Sequence, residues 1–287
     1  MEYAIGIDLG GTFIKYALID ANGNFLFSGK LPSHADQSPQ AVINQLVRSV
    51  EIVNEYLEAN GGIIKGIGIG TPGIIDSTNR VVVGGAENIK GWANIPLSSL
   101  MEQATHLPTI LSNDANLMGL GEAHYGAGRG CTDVVFLTVG TGIGGAVIIG
   151  GKLFNGFGNR GTELGHTPLI VNGEPCACGS VGCLETYASA AALVKSFMLE
   201  NEKKGIHYAA GEINGETIVE LYHSGDLIAK KCLDDNCYYL GRGIAGFINI
   251  FSPEKVVIGG GLSEAGQFYI DKVRTEALRH AIPESSA

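Results

Sequence analysis

A glycine-rich stretch in the middle of the chain, "GHTPLIVNGEPCACGSVGCLET", concentrates residues that could bind a metal ion. Cys176, Cys178 and Cys183 fall within eight residues, and His166 precedes the first of them by ten positions. One imidazole and three thiolates form the ligand set of a tetrahedral Cys₃His zinc site, although the C-x-C spacing is tighter than usual. No C-x-x-C redox pair is present, and three thiols cannot all pair with one another as disulfides. The pattern therefore favours zinc, and clustered metal-free thiols are the alternative.

Two carboxylates flank these four candidate ligands. Glu163 lies three residues before His166, and Glu185 follows Cys183 by two. A bound ion would fix such carboxylates in an otherwise flexible loop, and zinc on one imidazole nitrogen leaves the other nitrogen for a substrate hydroxyl. The stretch therefore predicts a rigid wall that binds a polyhydroxylated ligand, in which the cysteines do no chemistry themselves. Taken alone, the two glutamates would be ordinary surface carboxylates.

Three glycine clusters, each at the end of an apolar run, could bind phosphate groups. They are "DLGGT" at 8–12, "VGTGIGGA" at 139–146 and "IGGGLS" at 258–263. Backbone N–H groups of facing glycine turns could surround the β- and γ-phosphates of a nucleotide, with Asp8 near the accompanying Mg²⁺. Hairpin turns also use glycine, so each cluster alone has a purely structural alternative.

Two other nucleotide-binding motifs are excluded, the first by its residue types and the second by the element that follows its glycines. A P-loop requires G-x-x-x-x-G-K-[ST], but "AVIIGGKL" has Ala146 in place of the first glycine and Leu153 in place of the hydroxyl residue. A dinucleotide fingerprint requires a helix after its glycines, whereas "GGAVIIGG" continues as a strand. The glycine clusters therefore favour a nucleotide clasped between two domains.

The surrounding pattern predicts the elements that position these groups. In the first half we expect strands at 3–9, 13–19, 25–30 and 63–70, a helix at 39–60, a strand ending at Ile110–Leu111, and a short helix from Asp114. The second half repeats strand, turn, strand, turn and strand at 133–156, with helices at 188–203, 226–250 and 263–280 and a strand at 255–261. This repetition predicts a duplicated α/β fold with a cleft between its halves and a boundary near residues 113–120.

The composition narrows the class of protein. With 45% hydrophobic residues, the 287-residue chain is globular and long enough for roughly two domains. Its net charge of −10 argues against a nucleic acid as partner. The start "MEYAIGIDLGG" is unlike a signal peptide, and no apolar run reaches the roughly 18 residues of a membrane span. The sequence therefore predicts a cytoplasmic protein with reduced thiols and no membrane partner.

Six motifs follow one another along the chain: "DLGGT", "SNDAN", "VGTGIGGA", "GTELGH", "CACGSVGCLE" and "VVIGGGLS". In this order and spacing the chain, from Tyr3 to Arg279, resembles the ROK family of sugar kinases and related repressors. The resemblance implies a two-domain, actin-like α/β fold of duplicated ribonuclease H-like type, whose domains at 1–115 and 116–287 close on ATP and a hexose. Bacterial glucokinases are the commonest kinases of the family, so it also implies glucose, ATP and the product D-glucose 6-phosphate.

The resemblance further implies roles for individual residues. Asp114 matches the catalytic base. The residues that match sugar ligands are Gly73, Asn88, Asn113, Asp114, Glu163, His166 and Glu185. The ligands of a structural Zn²⁺ are His166, Cys176, Cys178 and Cys183, and those of ATP and Mg²⁺ are Asp8, Gly10, Gly11, Thr12, Lys15, Gly140, Thr141, Gly142, Gly144, Gly259, Gly260 and Gly261. Without the other motifs, Asp114 would be typical of a helix N-cap or first-turn residue.

The same motifs are compatible with other sugar substrates and with a regulatory function. Fructose, mannose, allose, N-acetylmannosamine and N-acetylglucosamine differ from glucose by few contacts, and motifs do not distinguish them. A transcriptional regulator of the family would carry a helix-turn-helix before the first glycine cluster, which begins here at Asp8. Dimers are frequent in the family, so we expect a homodimer. The chain stops at "PESSA", short of the family's usual last helix, which indicates either a fragment or an unusual end.

Overall fold

The computed structural model describes residues 1–76, 78, 80–86, 88–209 and 211–285. The chain divides into two compact units. The first unit comprises Met1–Met118 and Asn155–Gly161, and the second comprises Gly119–Phe154 and the chain from Thr162 onward. Residues 116–118 and Asn155–Gly161, which the division at 115/116 implied by the resemblance assigned to the second domain, belong with the first unit.

A five-stranded sheet organises the first unit. Its strands and helices, in chain order, are β1 (Glu2–Leu9), β2 (Phe13–Ile19), β3 (Phe25–Pro32), α1 (Pro39–Asn60), β4 (Ile63–Thr71), β5 (Ile74–Asp76), β6 (Val81–Gly84), α2 (Leu97–Thr105), β7 (Thr109–Asn113) and the start of α3 (Asp114–Tyr125). The sheet order is β3-β2-β1-β4-β7, and β5 pairs with β6 separately. The first three strands are antiparallel, whereas β4 runs parallel to both β1 and β7.

The core of the first unit follows the two hydrophobic periodicities of its sequence. Strand β1 buries every second residue from Tyr3 to Leu9, as expected for a sheet with one packed face. Helix α1 begins after Ser38, whose side chain caps it, and buries a stripe from Val42 to Leu57 at helical spacing. These two faces belong to one hydrophobic cluster, so the helix fixes the position of the strand.

The parallel strands of this sheet end at a common edge. Asp8 lies opposite Gly70, and Thr71 lies opposite Asn113. In open α/β sheets the carboxyl ends of parallel strands are where ligands bind, because the chain leaves the sheet there in loops and helix N-termini. The register therefore brings three of the predicted functional segments to one edge of the sheet.

The second unit repeats this construction with a four-stranded sheet. Its remaining elements are β8 (Val134–Val139), β9 (Ile143–Ile149), β10 (Lys152–Leu153), α4 (Glu185–Ala188), α5 (Ala190–Glu202), α6 (Gly215–His223), α7 (Leu227–Phe251), β11 (Lys255–Gly259) and α8 (Gln267–His280). The sheet order is β10-β9-β8-β11, with β8 and β9 antiparallel and β11 parallel to β8. Each unit thus joins an antiparallel hairpin to a later parallel strand, which confirms the predicted duplicated α/β class.

Helix α7 is the central helix of the second unit. It buries a stripe from Ile228 to Ile248 and packs against α4, α5, α6 and α8. Its buried side chains join the inner face of β8 in one hydrophobic cluster. No helix within the described residues is both long enough and apolar enough to cross a membrane.

Two helices predicted as continuous are interrupted in the structure. The predicted helix at 188–203 is broken at Ser189, which has an extended backbone and caps α5 with its side chain. The predicted helix at 263–280 is broken at Gly266, whose φ of 106° separates a 3₁₀ turn from α8. Both interruptions depend on single residues whose local conformation outweighs the hydrophobic period.

Candidate functional site

Asn113 terminates β7 and starts α3. Its Oδ1 accepts hydrogen bonds from Ala115 N at 3.0 Å and Asn116 N at 3.3 Å, so Asn113 is the N-cap of the helix. Its Nδ2 donates to the carbonyl oxygen of Gly73 at 3.3 Å. The amide that the resemblance assigned to sugar binding is therefore also the group that fixes the helix start and the loop after β4.

Asp114 occupies the first position of α3, where its neighbours cover it in part and it remains accessible to solvent. Its Oδ1 accepts a hydrogen bond from Ala115 N at 2.9 Å, and the positive end of the helix dipole favours its negative charge. Burial nevertheless raises the pKa of the Asp114 carboxyl, and the nearby charge of Asp8 raises it further, while the Ala115 N–H acts in the opposite direction. Asp114 is therefore a stronger base than an aspartate surrounded by water on all sides.

The first glycine turn (Gly10–Thr12) connects β1 to β2. Gly10 N donates to Phe13 O at 3.0 Å, which closes the turn. A Cβ on Gly11 would lie 3.1 Å from Asn88 Nδ2, so the turn and the Asn88 side chain approach each other closely. Asp8 stands opposite Lys15 across the hairpin, with Oδ2 3.9 Å from Lys15 Nζ. The first unit thus brings Asp8, the glycine turn and Asn88 together.

The loop after β4 is held rigidly although it is rich in small residues. Gly73 has a φ of 97°, and a Cβ there would lie 2.5 Å from the Gly84 carbonyl oxygen. Trp92 Nε1 donates to Thr71 Oγ1 at 2.9 Å, and both side chains are buried. Trp92 is the only tryptophan in the sequence, so its fluorescence reports on this loop alone.

The second glycine turn (Gly140–Gly142) connects β8 to β9 and is held from both sides by one segment. Gly140 O accepts from Ala190 N at 2.8 Å, and Ile143 N donates to Glu185 Oε2 at 2.8 Å. A Cβ on Gly142 would lie 2.4 Å from Glu185 Oε2. Glu185, predicted as a sugar ligand, is therefore in direct contact with the predicted phosphate-binding turn.

The third glycine cluster lies at the end of β11, next to the second glycine turn. Gly259 pairs with Thr138 of β8. Gly260 has a φ of 85°, and a Cβ there would lie 2.7 Å from the backbone N and O of Val139. The close approach of the two backbones explains why glycine is required at this position. Gly261 then starts a short 3₁₀ helix, whereas Gly144 lies within β9.

A cavity of about 610 Å³ lies beside the second glycine turn, within the second unit. Its lining is mainly the apolar and small side chains of α5 together with the start of α6: Thr141, Ala190, Ala191, Val194, Lys195, Met198, Leu199, Glu202, Ile213, Asn214 and Gly215. Cavities of this size and apolar character hold small-molecule ligands. Sequence reasoning had named only Thr141 of this set. The run "SAAALV" at the start of α5 was the available signal, because small residues at a helix start leave room for a ligand.

His166, Cys176, Cys178 and Cys183 come together in the second unit, with all four ligand atoms within 4.8 Å of one another. Cys176 Sγ lies 3.6 Å from His166 Nδ1, and Cys178 Sγ lies 3.7 Å from Cys183 Sγ. Zinc bonds of about 2.3 Å to sulfur and 2.0–2.1 Å to nitrogen in a tetrahedron require about 3.8 Å between sulfurs and about 3.6 Å between sulfur and nitrogen. The donor set therefore fits a zinc ion in both chemistry and spacing.

The backbone of the zinc loop (residues 165–186) holds these ligands in place. Leu169 N donates to Gly182 O at 2.7 Å, and Cys176 N donates to Ser180 O at 2.8 Å. Gly182 has a φ of 74°, and a Cβ there would lie 1.8 Å from Ile170 O. At the start of the loop, a 3₁₀ turn places Glu163 and His166 one turn apart, with His166 N donating to Glu163 O at 3.0 Å. The ligand geometry thus follows from the fold of the loop.

The comparisons with known proteins agree with these features. A family model described as the ROK family matches residues 4–286. A glucokinase of Thermotoga maritima is 36% identical over 97% of this chain and 88% of its own length. A xylose repressor of Caldicellulosiruptor bescii is 34% identical over 94% of this chain and 68% of its own length.

Among solved structures, a ROK family glucokinase from Streptomyces griseus in complex with glucose and AMPPNP matches with a TM-score of 0.83. The two chains are 32% identical, and the match covers 98% of this chain and 90% of the Streptomyces griseus chain. This similarity confirms the actin-like α/β fold class that the motifs implied.

Proposed function

Because the chain belongs to the ROK family, we propose that it is an ATP-dependent hexose kinase that converts D-glucose to D-glucose 6-phosphate. The observation that carries the proposal is Asp114, a solvent-accessible carboxylate of raised pKa at the first position of α3. It lies at the sheet edge where Asp8 and the first glycine turn also lie. The choice of glucose is supported by the similarity to glucokinases.

Asp114 would act as the general base of phosphoryl transfer. A sugar hydroxyl is a poor nucleophile, and a carboxylate within hydrogen-bond reach accepts its proton as the bond to the γ-phosphorus forms. A raised pKa makes that carboxylate a better proton acceptor than an ordinary aspartate. The Asn113 cap holds the base at a fixed place by fixing the start of α3.

The nucleotide would be held by backbone groups and by the cavity beside α5. The N–H groups of the first and second glycine turns stabilise the charge that develops on the phosphoryl oxygens. When bound, Mg²⁺ would neutralise part of the triphosphate charge, and Asp8 is the carboxylate that would hold it. We place the adenosine in the cavity lined by Thr141 and the first turns of α5, since this cavity adjoins the second glycine turn.

The sugar hydroxyls would be bound by Glu163, His166 and Glu185, with Asn113 and the loops carrying Gly73 and Asn88 as further ligands. The zinc ion would serve as a structural clamp that fixes the loop. His166 turns Nδ1 toward the cluster, so Nε2, on the opposite side of the ring, is the atom that would meet a sugar hydroxyl. Glu163 and His166 stand one turn apart and would contact neighbouring hydroxyls.

A coupled ADP-release assay with a panel of hexoses and N-acetylhexosamines tests the proposal. We expect ATP turnover with the highest kcat/KM for D-glucose. Absence of turnover with every sugar of the panel would refute the kinase assignment. A higher kcat/KM for mannose, fructose, allose or an N-acetylhexosamine would refute glucose as the substrate and keep the kinase.

The similarity to a xylose repressor supports a second candidate, a sugar-binding transcriptional regulator. A regulator would bind sugar and a specific operator but would not need Asp114 as a base. A gel-shift experiment that shows sugar-dependent operator binding, together with no ATP turnover, would favour this candidate. The net charge of −10 favours the kinase over the regulator, since operator binding requires a basic surface.

We also propose that the kinase works in the cytoplasm, where its ATP is, and as a homodimer. The dimer is what the family resemblance implies. Light scattering on a size-exclusion column measures the mass directly, and a mass of about 30 kDa at micromolar concentration would contradict the dimer.

A further inference from the structure

A buried chain of hydrogen bonds runs from α8 through α7 to the start of α5. Tyr269 Oη donates to Asn236 Oδ1 at 2.9 Å, and Asn236 Nδ2 donates to the carbonyl oxygen of Ser189 at 3.2 Å. The three residues are 0%, 2% and 2% exposed, respectively. At the far end, Ala190 N donates to Gly140 O in the second glycine turn.

The last two hydrogen bonds of this chain share one peptide group. The carbonyl of Ser189 and the N–H of Ala190 belong to a single planar unit and point in opposite directions. A group that holds the carbonyl therefore also sets the direction in which the N–H points. Asn236 holds the carbonyl, so it aims the Ala190 N–H at Gly140 O.

The orientation of the Asn236 amide is fixed by its partners. Were the amide turned over, its oxygen would face the Ser189 carbonyl oxygen, and two acceptors would oppose each other. Tyr269 satisfies the amide oxygen, and burial keeps water from competing for either atom. A leucine of the same branching would avoid the cost of burying an amide, so packing alone gives no reason for asparagine here.

We propose that Asn236 is a positioning residue for the nucleotide, oriented by Tyr269 and acting through the Ser189–Ala190 peptide. The inference rests on the proposed kinase function. The peptide bonds to the second glycine turn, and Ala190 also lines the cavity assigned to adenosine. The Asn236 amide thus fixes both the second glycine turn and the Ala190 wall of the cavity, without touching the nucleotide.

The test uses Asn236→Leu and the double variant Asn236→Leu/Tyr269→Phe in the ADP-release assay. Asn236→Leu should raise the KM for ATP about five- to thirtyfold, as expected for one lost buried hydrogen bond, with the KM for sugar within about twofold. It should also lower the Tm, because the Tyr269 hydroxyl is left without a partner. The double variant removes that hydroxyl, so the Tm should recover in part, with the Ser189 carbonyl still unpaired, while the KM for ATP stays raised.

Ser196→Ala is the matched control. It removes another side-chain hydrogen bond to α7, from Ser196 Oγ to Cys232 Sγ, that does not lead to the second glycine turn. Its KM for ATP should equal that of the wild type. A KM for ATP that recovers together with the Tm in the double variant would overturn the proposal, because the effect would then be one of stability.

Hydrogen exchange provides a readout that does not depend on turnover. The amide of Ala190 should exchange faster in both Asn236 variants than in the wild type and in Ser196→Ala. Unchanged exchange at Ala190 would overturn the positioning role even if the wild type is an active kinase. Failure of the wild type to phosphorylate any sugar would instead refute the proposed function. If Asn236→Leu does not fold, Tyr269→Phe alone should show the faster exchange and an approximately two- to fivefold rise in the KM for ATP.

Discussion

Asp114→Asn separates proton transfer from sugar binding. The substitution preserves the shape of the side chain, and an amide oxygen can keep the hydrogen bond that Asp114 Oδ1 accepts from Ala115 N. What the variant loses is the ability to accept a proton from the sugar hydroxyl. General base catalysis contributes about 10²- to 10⁴-fold to a rate, so we expect kcat to fall by that factor, about 3–5.5 kcal/mol.

Sugar binding by this variant can be measured without turnover. Trp92 is the only tryptophan and donates to Thr71, two residues before Gly73. A titration of its fluorescence with glucose should give a Kd for Asp114→Asn within about tenfold of the wild-type value, since at most one hydroxyl contact changes. The pairing of a large loss in kcat with a small change in Kd identifies a base.

The same variant should be more stable than the wild type at neutral pH. Burial raises the pKa of Asp114 in the folded state, and the charge of Asp8 adds to this effect. The ionised carboxylate therefore lowers the free energy of unfolding at any pH above the folded-state pKa. This destabilisation disappears below the unfolded-state pKa, where the carboxyl is protonated in both states. Thermal melts should show a higher Tm for Asp114→Asn at pH 7, with the difference vanishing in acid.

Asp20→Asn is the control for the loss of an acidic side chain. Asp20 lies in an exposed turn of the same unit, where it accepts hydrogen bonds from Asn22 and Asn24, far in sequence from the sheet edge that carries Asp114. Its kcat should stay within about twofold of the wild-type value. If Asp114→Asn kept more than a tenth of the wild-type kcat, the role of general base would be refuted.

Three further predictions concern the neighbouring groups. Since burial and then the Asp8 charge raise the pKa of Asp114, Asp8→Asn should move the acid limb of the kcat/KM profile to lower pH at saturating Mg²⁺ and ATP. Elemental analysis should find about one zinc per chain, and Cys178→Ser should weaken glucose binding more than ATP binding; equal losses would make the metal a general folding element. Gly182→Ala should abolish zinc retention, because a Cβ there would collide with Ile170 O. Gly179 also has a positive φ but has open space around it, so Gly179→Ala should lower the unfolding free energy by only about 1 kcal/mol and keep the metal.

The sequence allows the elements of this fold to be predicted where one residue type decides the local structure. Strand β1 follows from alternation and α1 from its apolar stripe, because each depends on a period that the chain itself displays. The four zinc ligands could be predicted because one imidazole and three thiols, the ligand set of a Cys₃His site, are crowded into one glycine-rich loop. Their predicted identity as a cluster is confirmed by the structure.

Features that depend on tertiary contacts cannot be predicted from a local sequence pattern. The contact of Glu185 with Ile143 N joins residues far apart in sequence, so no local pattern signals it. The break at Ser189 is visible only once its extended backbone is known, because a serine within a helical period can either continue the helix or cap a new one. The capping role of Asn113 could be expected from its residue type, whereas its bond to Gly73 could not.

The position of Glu185 has a consequence for any attempt to alter which sugar this chain accepts. Its Oε2 accepts a hydrogen bond from Ile143 N in β9, and the carboxylate fills space that a side chain at position 142 would need. A substitution chosen to admit a different sugar at this position would therefore also loosen the turn proposed to bind ATP.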